Sequence, residues 1–127
     1  MTMRQLLFSK LHGGTVTCCD LHYEGSCGLG PDLLEASGLL PFEKVSVLNV
    51  NTGHRLETYV IAAEKKGEIS LNGAAARYAN VGDKVIIIAF AILSEKEMAA
   101  HKARIVILGK DNRVVSTRRQ GPREAGR

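Results

Sequence analysis

Tryptophan is absent, and aromatic residues make up only 5% of the 127-residue chain. Proteins that bind single-stranded nucleic acid stack bases on exposed aromatics, and this chain has few to offer. Cysteine is scarce as well: Cys18, Cys19 and Cys27 form an odd set, two of them adjacent, with no C-x-x-C spacing. That argues against a disulfide framework or a zinc site, and the thiols read as small buried hydrophobes in a reducing compartment. Long apolar runs are missing too. The longest, Val85–Leu93 ("VIIIAFAIL"), is about half of the roughly 20 residues that a membrane helix needs. The N-terminus, "MTMRQLLFSK", lacks an apolar h-region and a small-residue cleavage site. The expectation is a soluble, cytoplasmic protein with no membrane partner.

Standard catalytic signatures are also absent. There is no P-loop, no G-x-G-x-x-G and no H-E-x-x-H. His12, His22, His54 and His101 lack metal-ligand spacing, so no metal is expected. Ser26 paired with His12 or His22 would suggest a hydrolase, but no G-x-S-x-G elbow and no acid partner accompany them. The net charge of +4 raises the question of nucleic acid. The distribution answers it. Residues 117–127, "TRRQGPREAGR", hold four Arg against one Glu, so the rest of the chain carries only one of the four net charges. The body is near neutral and no nucleic-acid partner is expected. The segment 117–127, rich in Gly and Arg with no apolar anchor, reads as a disordered basic tail.

What is present is a single domain, residues 1–116, long enough to bury roughly two thirds of its unfolded surface. Period-two alternation predicts strands over 15–20, 44–50, 55–62, 68–71, 104–108 and 113–116. The continuous apolar run 84–93 reads as a strand buried on both faces. Pro31–Ser37 reads as a helix with Pro in its first turn and Gly38 just past its end. Residues 74–79 read as a turn or two of helix, and Ser94 to Glu97 is a capping box opening a short helix to His101. Many short strands with few helices make the chain mainly β, a small closed barrel.

Polar residues collect at the predicted strand ends. Lys10 and His12 lie near the N-terminus, and "HYEGSC" (residues 22–27) follows a strand. Arg55, Thr58 and Tyr59 share one strand; Arg55 and Tyr59 point to one face and Thr58 to the other. Asn72-Gly73-Ala74-Ala75 ends another strand with small side chains that let a ligand approach backbone N–H groups. Taken singly, each has an ordinary explanation as a solvated charge, a strand former or a turn.

Together, "KLH", "DLHYEGSC", "RLETYVIAAE", "NGAAA" and "VGDKVIIIAF", in that order over roughly residues 4–115, resemble the pyruvoyl-dependent aspartate decarboxylases. The resemblance implies a six-stranded double-psi β-barrel with short helices, assembled as a homotetramer with active sites between subunits. It implies decarboxylation of L-aspartate to β-alanine for pantothenate synthesis. The cofactor would be a pyruvoyl group made from Ser26 by self-cleavage between Gly25 and Ser26, with no metal and no pyridoxal phosphate. Cleavage would leave chains 1–25 and 26–127, and a maturation-factor protein is a possible further partner. Ser26 would then form a Schiff base with substrate and Tyr59 would donate the proton. A phenol is protonated at neutral pH and can do so. Thr58 would supply an oxyanion donor during cleavage and a substrate contact. Lys10 and Arg55 would bind the carboxylates, and Asn72, Gly73, Ala74 and Ala75 would line the substrate, with Tyr23 and His12 as weaker candidates. Cys27 reads as packing.

Overall fold

The buried faces of the strands are set by alternation. In the computed structural model, which describes residues 2–124, Val45 and Val47 point inward from one strand, and Val85, Ile87 and Ala89 from another, each no more than 1% exposed. Fully burying a Val or Leu side chain contributes about 1.5–3 kcal/mol, so these rows supply the core. The run 84–93 is therefore not buried on both faces as expected. Its outward residues become progressively exposed, Phe90 to 50% and Ile92 to 62%.

The chain is mainly β with few short helices. The strands are β1 (Met3–Thr15), β2 (Cys18–Asp20), β3 (Ser26–Leu29), β4 (Lys44–Asn49), β5 (Arg55–Ala62), β6 (Ile69–Asn72), β7 (Lys84–Ser94), β8 (Ala103–Leu108) and β9 (Val114–Gln120). Helices α1 (Pro31–Ser37) and α2 (Glu95–Met98) and 3-10 turns at Gly73–Tyr78 and Lys110–Asn112 complete it. The hydrogen-bonded order is β2-β6-β3-β5-β4-β7-β1-β8-β9. Because β1 runs directly into β2, this order closes on itself: β1/β2, β6, β3, β5, β4 and β7 form a ring, with β8 and β9 added beside β1.

The bend that closes the ring lies at Val16-Thr17, inside what the sequence suggested was one strand, 15–20. There the Val16 N–H donates to Asp83 O at 2.9 Å and the Thr17 N–H to Ile69 O at 2.8 Å. The Thr17 hydroxyl also donates to Ile69 O and accepts from the Ile69 N–H, both at 3.1 Å. One short bend thus ties β6 to the segment that leads into β7.

Helix α1 forms as its sequence signals suggest. Pro31 opens it, Leu33 is fully buried, and Gly38 ends it at φ 73°, its N–H bonded to Leu34 O. A left-handed residue at this position is a common helix stop.

The expected disordered tail at 117–127 is overturned for residues 117–120. They continue β9, antiparallel to β8 from Leu108↔Val114 to Ala103↔Gln120. The side chains there are mostly exposed, so the backbone ladder rather than the core holds the strand. Lys102 adds an ion pair to Glu124 at 2.8 Å. Residues 125–127 lie outside the described residues.

Asn112 anchors the β8–β9 connection to the barrel. It is fully buried at φ 57°, a left-handed conformation that Asn tolerates better than most residues. Its Oδ1 accepts from the Thr15 N–H at 2.7 Å, and its Nδ2 donates to Thr15 O at 2.8 Å and Gly67 O at 2.7 Å. Asn112→Ala strands three backbone groups and adds strain. It should lower stability by about 3 kcal/mol in denaturant titration.

Candidate active site

Strand β6 lies between β2 and β3, and its last residue meets both. Asn72 is level with Asp20 on one side and with Ser26 on the other. The connecting loop therefore crosses over the end of β6. Its turn is local: the Asp20 carboxylate accepts from the His22 N–H at 3.1 Å, and the Tyr23 N–H donates to Asp20 O at 3.4 Å.

Gly73 provides the seat for that loop. Its φ is +64°, and a Cβ there would stand 2.6 Å from both Cα and N of Gly25 and 3.0 Å from Tyr23 O. Only a residue without a side chain lets the two backbones approach this closely. Gly25 differs. A Cβ on it would find only Asn72 O, at 3.8 Å, and its φ is not positive. Packing does not demand glycine at 25. What its lack of a side chain leaves is an unhindered carbonyl beside Ser26.

Ser26 is 1% exposed and Asn72 is 5% exposed. The Ser26 hydroxyl donates to Glu24 O at 3.2 Å and accepts from Asn72 Nδ2 at 3.0 Å. The side chain is held on two sides, one residue after the carbonyl it would attack. Cys27 beside it is fully buried, and burial pushes its thiol up to about 12. It is no thiolate at neutral pH and therefore no nucleophile.

β5 brings the next pair. Cys27 is level with Val60 in the parallel β3–β5 ladder. The ladder begins at that pair, so Thr58 and Tyr59, which precede Val60, lie at the same end of the paired strands as Gly25 and Ser26, which precede Cys27. Thr58 is half-buried. Tyr59 is 36% exposed, with its ring centroid 6.2 Å from that of Phe42. The 3-10 turn Gly73–Tyr78 packs on β3, β5 and β6. Ala74 is exposed, whereas Ala75 is 7% exposed and belongs to the core.

Lys10 and Arg55 are not brought to Ser26 within one chain. Lys10 is on β1, level with Ile88 of β7 and Ile105 of β8. Its neighbours Ser9 and Leu11 are buried, so Lys10 faces outward. His12 shares that face; burial first and the Lys10 charge second lower its pKa, and its buried Nδ1 has no partner. Arg55 is exposed at the start of β5, roughly 13 Å along the strand from Tyr59. Two surface clefts, one lined by Leu7, His101 and Pro122 and one by Arg104, Arg118 and Arg119, include none of Gly25, Ser26, Thr58 and Tyr59. Among the described residues no group of three or more His, Cys, Asp or Glu is placed to hold a metal. No helix among them is long and apolar enough to cross a membrane.

The bond from Asn72 to Ser26 spans 46 residues, and the sequence reading treated Asn72 only as a substrate contact. No local spacing signals such a pairing, since it arises from the β3–β6 register.

The fold and this cluster define a small β-barrel in which a buried Ser–Asn pair, Ser26 and Asn72, follows directly on an exposed glycine, Gly25. The chain belongs to the aspartate decarboxylase family, whose model matches residues 1–115. It is 53% identical over 112 residues to the aspartate 1-decarboxylase of Ralstonia nicotianae, covering 87% of this chain and 93% of that protein. It is 52% identical over 117 residues to that of Methylibium petroleiphilum (91% and 98%) and 51% identical over 117 residues to that of Bordetella avium (91% and 96%).

The contrast between the two glycines is testable in a Ser26→Ala background, which keeps the chain intact in both cases. Gly73→Ala should cost about 2–3 kcal/mol through its left-handed φ and the collision with Gly25. Gly25→Ala should stay within about 0.5 kcal/mol of its parent in the same melts.

Proposed function

We propose that this chain decarboxylates L-aspartate to β-alanine and CO2, feeding pantothenate synthesis, and that Ser26 becomes its pyruvoyl cofactor. The observation that carries the reading is the arrangement at Gly25-Ser26: a buried hydroxyl fixed by Asn72 and by Glu24 O, next to an unhindered carbonyl. Loss of an α-carboxylate leaves a carbanion, and a pyruvoyl ketone supplies the electron sink for it.

The residues present fit formation of that group. Ser26 Oγ attacks the Gly25 carbonyl carbon, the C–N bond breaks, and the hydroxyl proton passes to the released amine, leaving an ester. Loss of the Ser26 Cα proton then breaks the Cβ–Oγ bond, freeing Gly25 as a carboxylate and leaving dehydroalanine. Water adds, ammonia departs and a ketone remains. The attack places negative charge on the Gly25 carbonyl oxygen, which requires a placed donor. Thr58, two residues before Val60 on β5 as Gly25 is two before Cys27, is the candidate. Asn72 keeps Oγ turned toward the strand end rather than free to rotate.

In turnover, Tyr59, one residue before Val60 on the strand paired with β3, gives the proton to the substrate carbon. Ala74, exposed at the start of its 3-10 turn, presents backbone to the substrate next to the buried Gly73, and Ala75 holds that turn to the core. Lys10 and Arg55 take the two carboxylates; Arg suits a bidentate grip. Their distance from Ser26 in one chain supports a homotetramer with sites shared between copies. Phe90 and Ile92, exposed on β7, and the unpartnered His12 Nδ1 support an outer face that another subunit covers. Cys18, Cys19 and Cys27 are all free thiols, in keeping with a reducing cytoplasm.

Intact-mass spectrometry tests the cofactor. Wild type should give fragments 1–25 and 26–127, the second carrying a ketone in place of its amine, and Ser26→Ala should give one inactive chain. A wild-type chain that stays whole and inert to aspartate after warming, with and without a cell lysate to supply a maturation factor, overturns the reading. Tyr59→Phe should be cleaved normally yet lose at least about 100-fold in kcat, measured as β-alanine formed.

A further inference from the structure

Between α1 and β4 the chain turns at Leu40-Pro41-Phe42-Glu43. The Glu43 N–H donates to Leu40 O at 3.1 Å, and Phe42 has φ 75°. This is a type II turn with Pro at its second position and Phe at its third. The third position requires positive φ and is ordinarily filled by Gly or Asn. The other non-glycine residues at positive φ among those described are Asp111 and Asn112, types that tolerate the left-handed region. Phe42 is the aromatic exception.

The surrounding bonds leave the turn little freedom. The Phe42 N–H donates to Val60 O at 2.7 Å, the Val60 N–H to Glu43 O at 3.0 Å, and the Glu43 carboxylate accepts from the Leu40 N–H at 3.0 Å. Strain at one residue persists only when its surroundings over-determine it, and such residues concentrate at functional sites. Core packing does not account for the side chain, because Phe42 is 81% exposed. The ring instead meets Tyr59, with centroids 6.2 Å apart and planes tilted by 55°. That lies within the range of favourable aromatic pairs. The turn is bonded to Val60, the residue after Tyr59, so the contact is fixed from the backbone outward.

We propose that Phe42 is a positioning residue for Tyr59: the strained turn holds an exposed ring against the phenol and limits its swing toward solvent. The inference rests on Tyr59 as the proton donor. A proton donor must stay within hydrogen-bond reach of the carbon it serves. Tyr59 is partly exposed and Phe42 is its ring partner. Without that ring the phenol samples orientations in which it donates to water.

The experiment compares Phe42→Asn, Phe42→Gly, Phe42→Tyr and Tyr59→Phe in the full chain. Asn and Gly suit the turn, so both variants should melt no lower than wild type and be cleaved to the same extent. Their kcat should nevertheless fall about tenfold, with KM changed by less than about twofold. Phe42→Tyr, which keeps the ring, should recover most of the lost turnover. Full kcat in Phe42→Asn alongside an inactive Tyr59→Phe would overturn the positioning role and leave Tyr59 in place. Full activity in Tyr59→Phe would remove the proton donor and this inference with it. A raised KM at unchanged kcat, or a smaller assembly by light scattering in Phe42→Asn, would assign the ring to substrate or subunit contact and also overturn the proposal.

Discussion

The 3.0 Å hydrogen bond from Asn72 Nδ2 to Ser26 Oγ is where the fold and the chemistry meet. It exists because β6 is flanked by β2 and β3 and its last residue, Asn72, is level with Asp20 on one side and Ser26 on the other. The loop from Asp20 to Ser26 must then cross the β6 terminus, and Gly73 lets it do so at near-contact distance. If the barrel did not close through the Val16-Thr17 bend, β2 would lose its place on β6. The Gly25–Ser26 bond would then lose its seat.

Two kinds of glycine at this site do different things. Gly73 is demanded by backbone geometry, with positive φ and a neighbour that no Cβ could avoid. Gly25 has neither constraint, and a Cβ there would meet only Asn72 O. The distinction separates a glycine that the backbone demands from one that it does not, by local distances alone. Cys27 shows the complementary case, a nominal nucleophile made inert by complete burial.

Some elements were legible in sequence because their signals are local. Strand β5 and helix α1 begin and end where alternation, Pro31 and Gly38 suggested, and the capping box at Ser94–Glu97 forms in full. Strand β1 was not read. Its pairing with β7 shifts register between Leu7 and Ser9 and again between His12 and Gly14, and each bulge breaks the period-two pattern that marks a strand. Strand β3 carries glycine and is too short for a pattern to emerge. Of β9 only the stretch 113–116 carries the pattern; residues 117–120 escape it because a ladder on β8, not apolar side chains, holds them.

By itself the sequence determined a mainly β chain and, through the order of its motifs, the family to which it belongs. It also singled out Ser26, Gly25, Thr58 and Tyr59. The β character depends on short-range alternation and the site residues on the resemblance that the motifs carry together, both of which a linear chain holds in full. Only the tertiary structure decided that Asn72 grips Ser26, that Gly73 seats Gly25, and that Phe42 lies strained against Tyr59. It also left Lys10 on β1, away from Ser26, and Arg55 at the opposite end of β5 from Val60. Such relations come from strand register and barrel closure, which join residues dozens of positions apart and leave no periodic trace in the sequence.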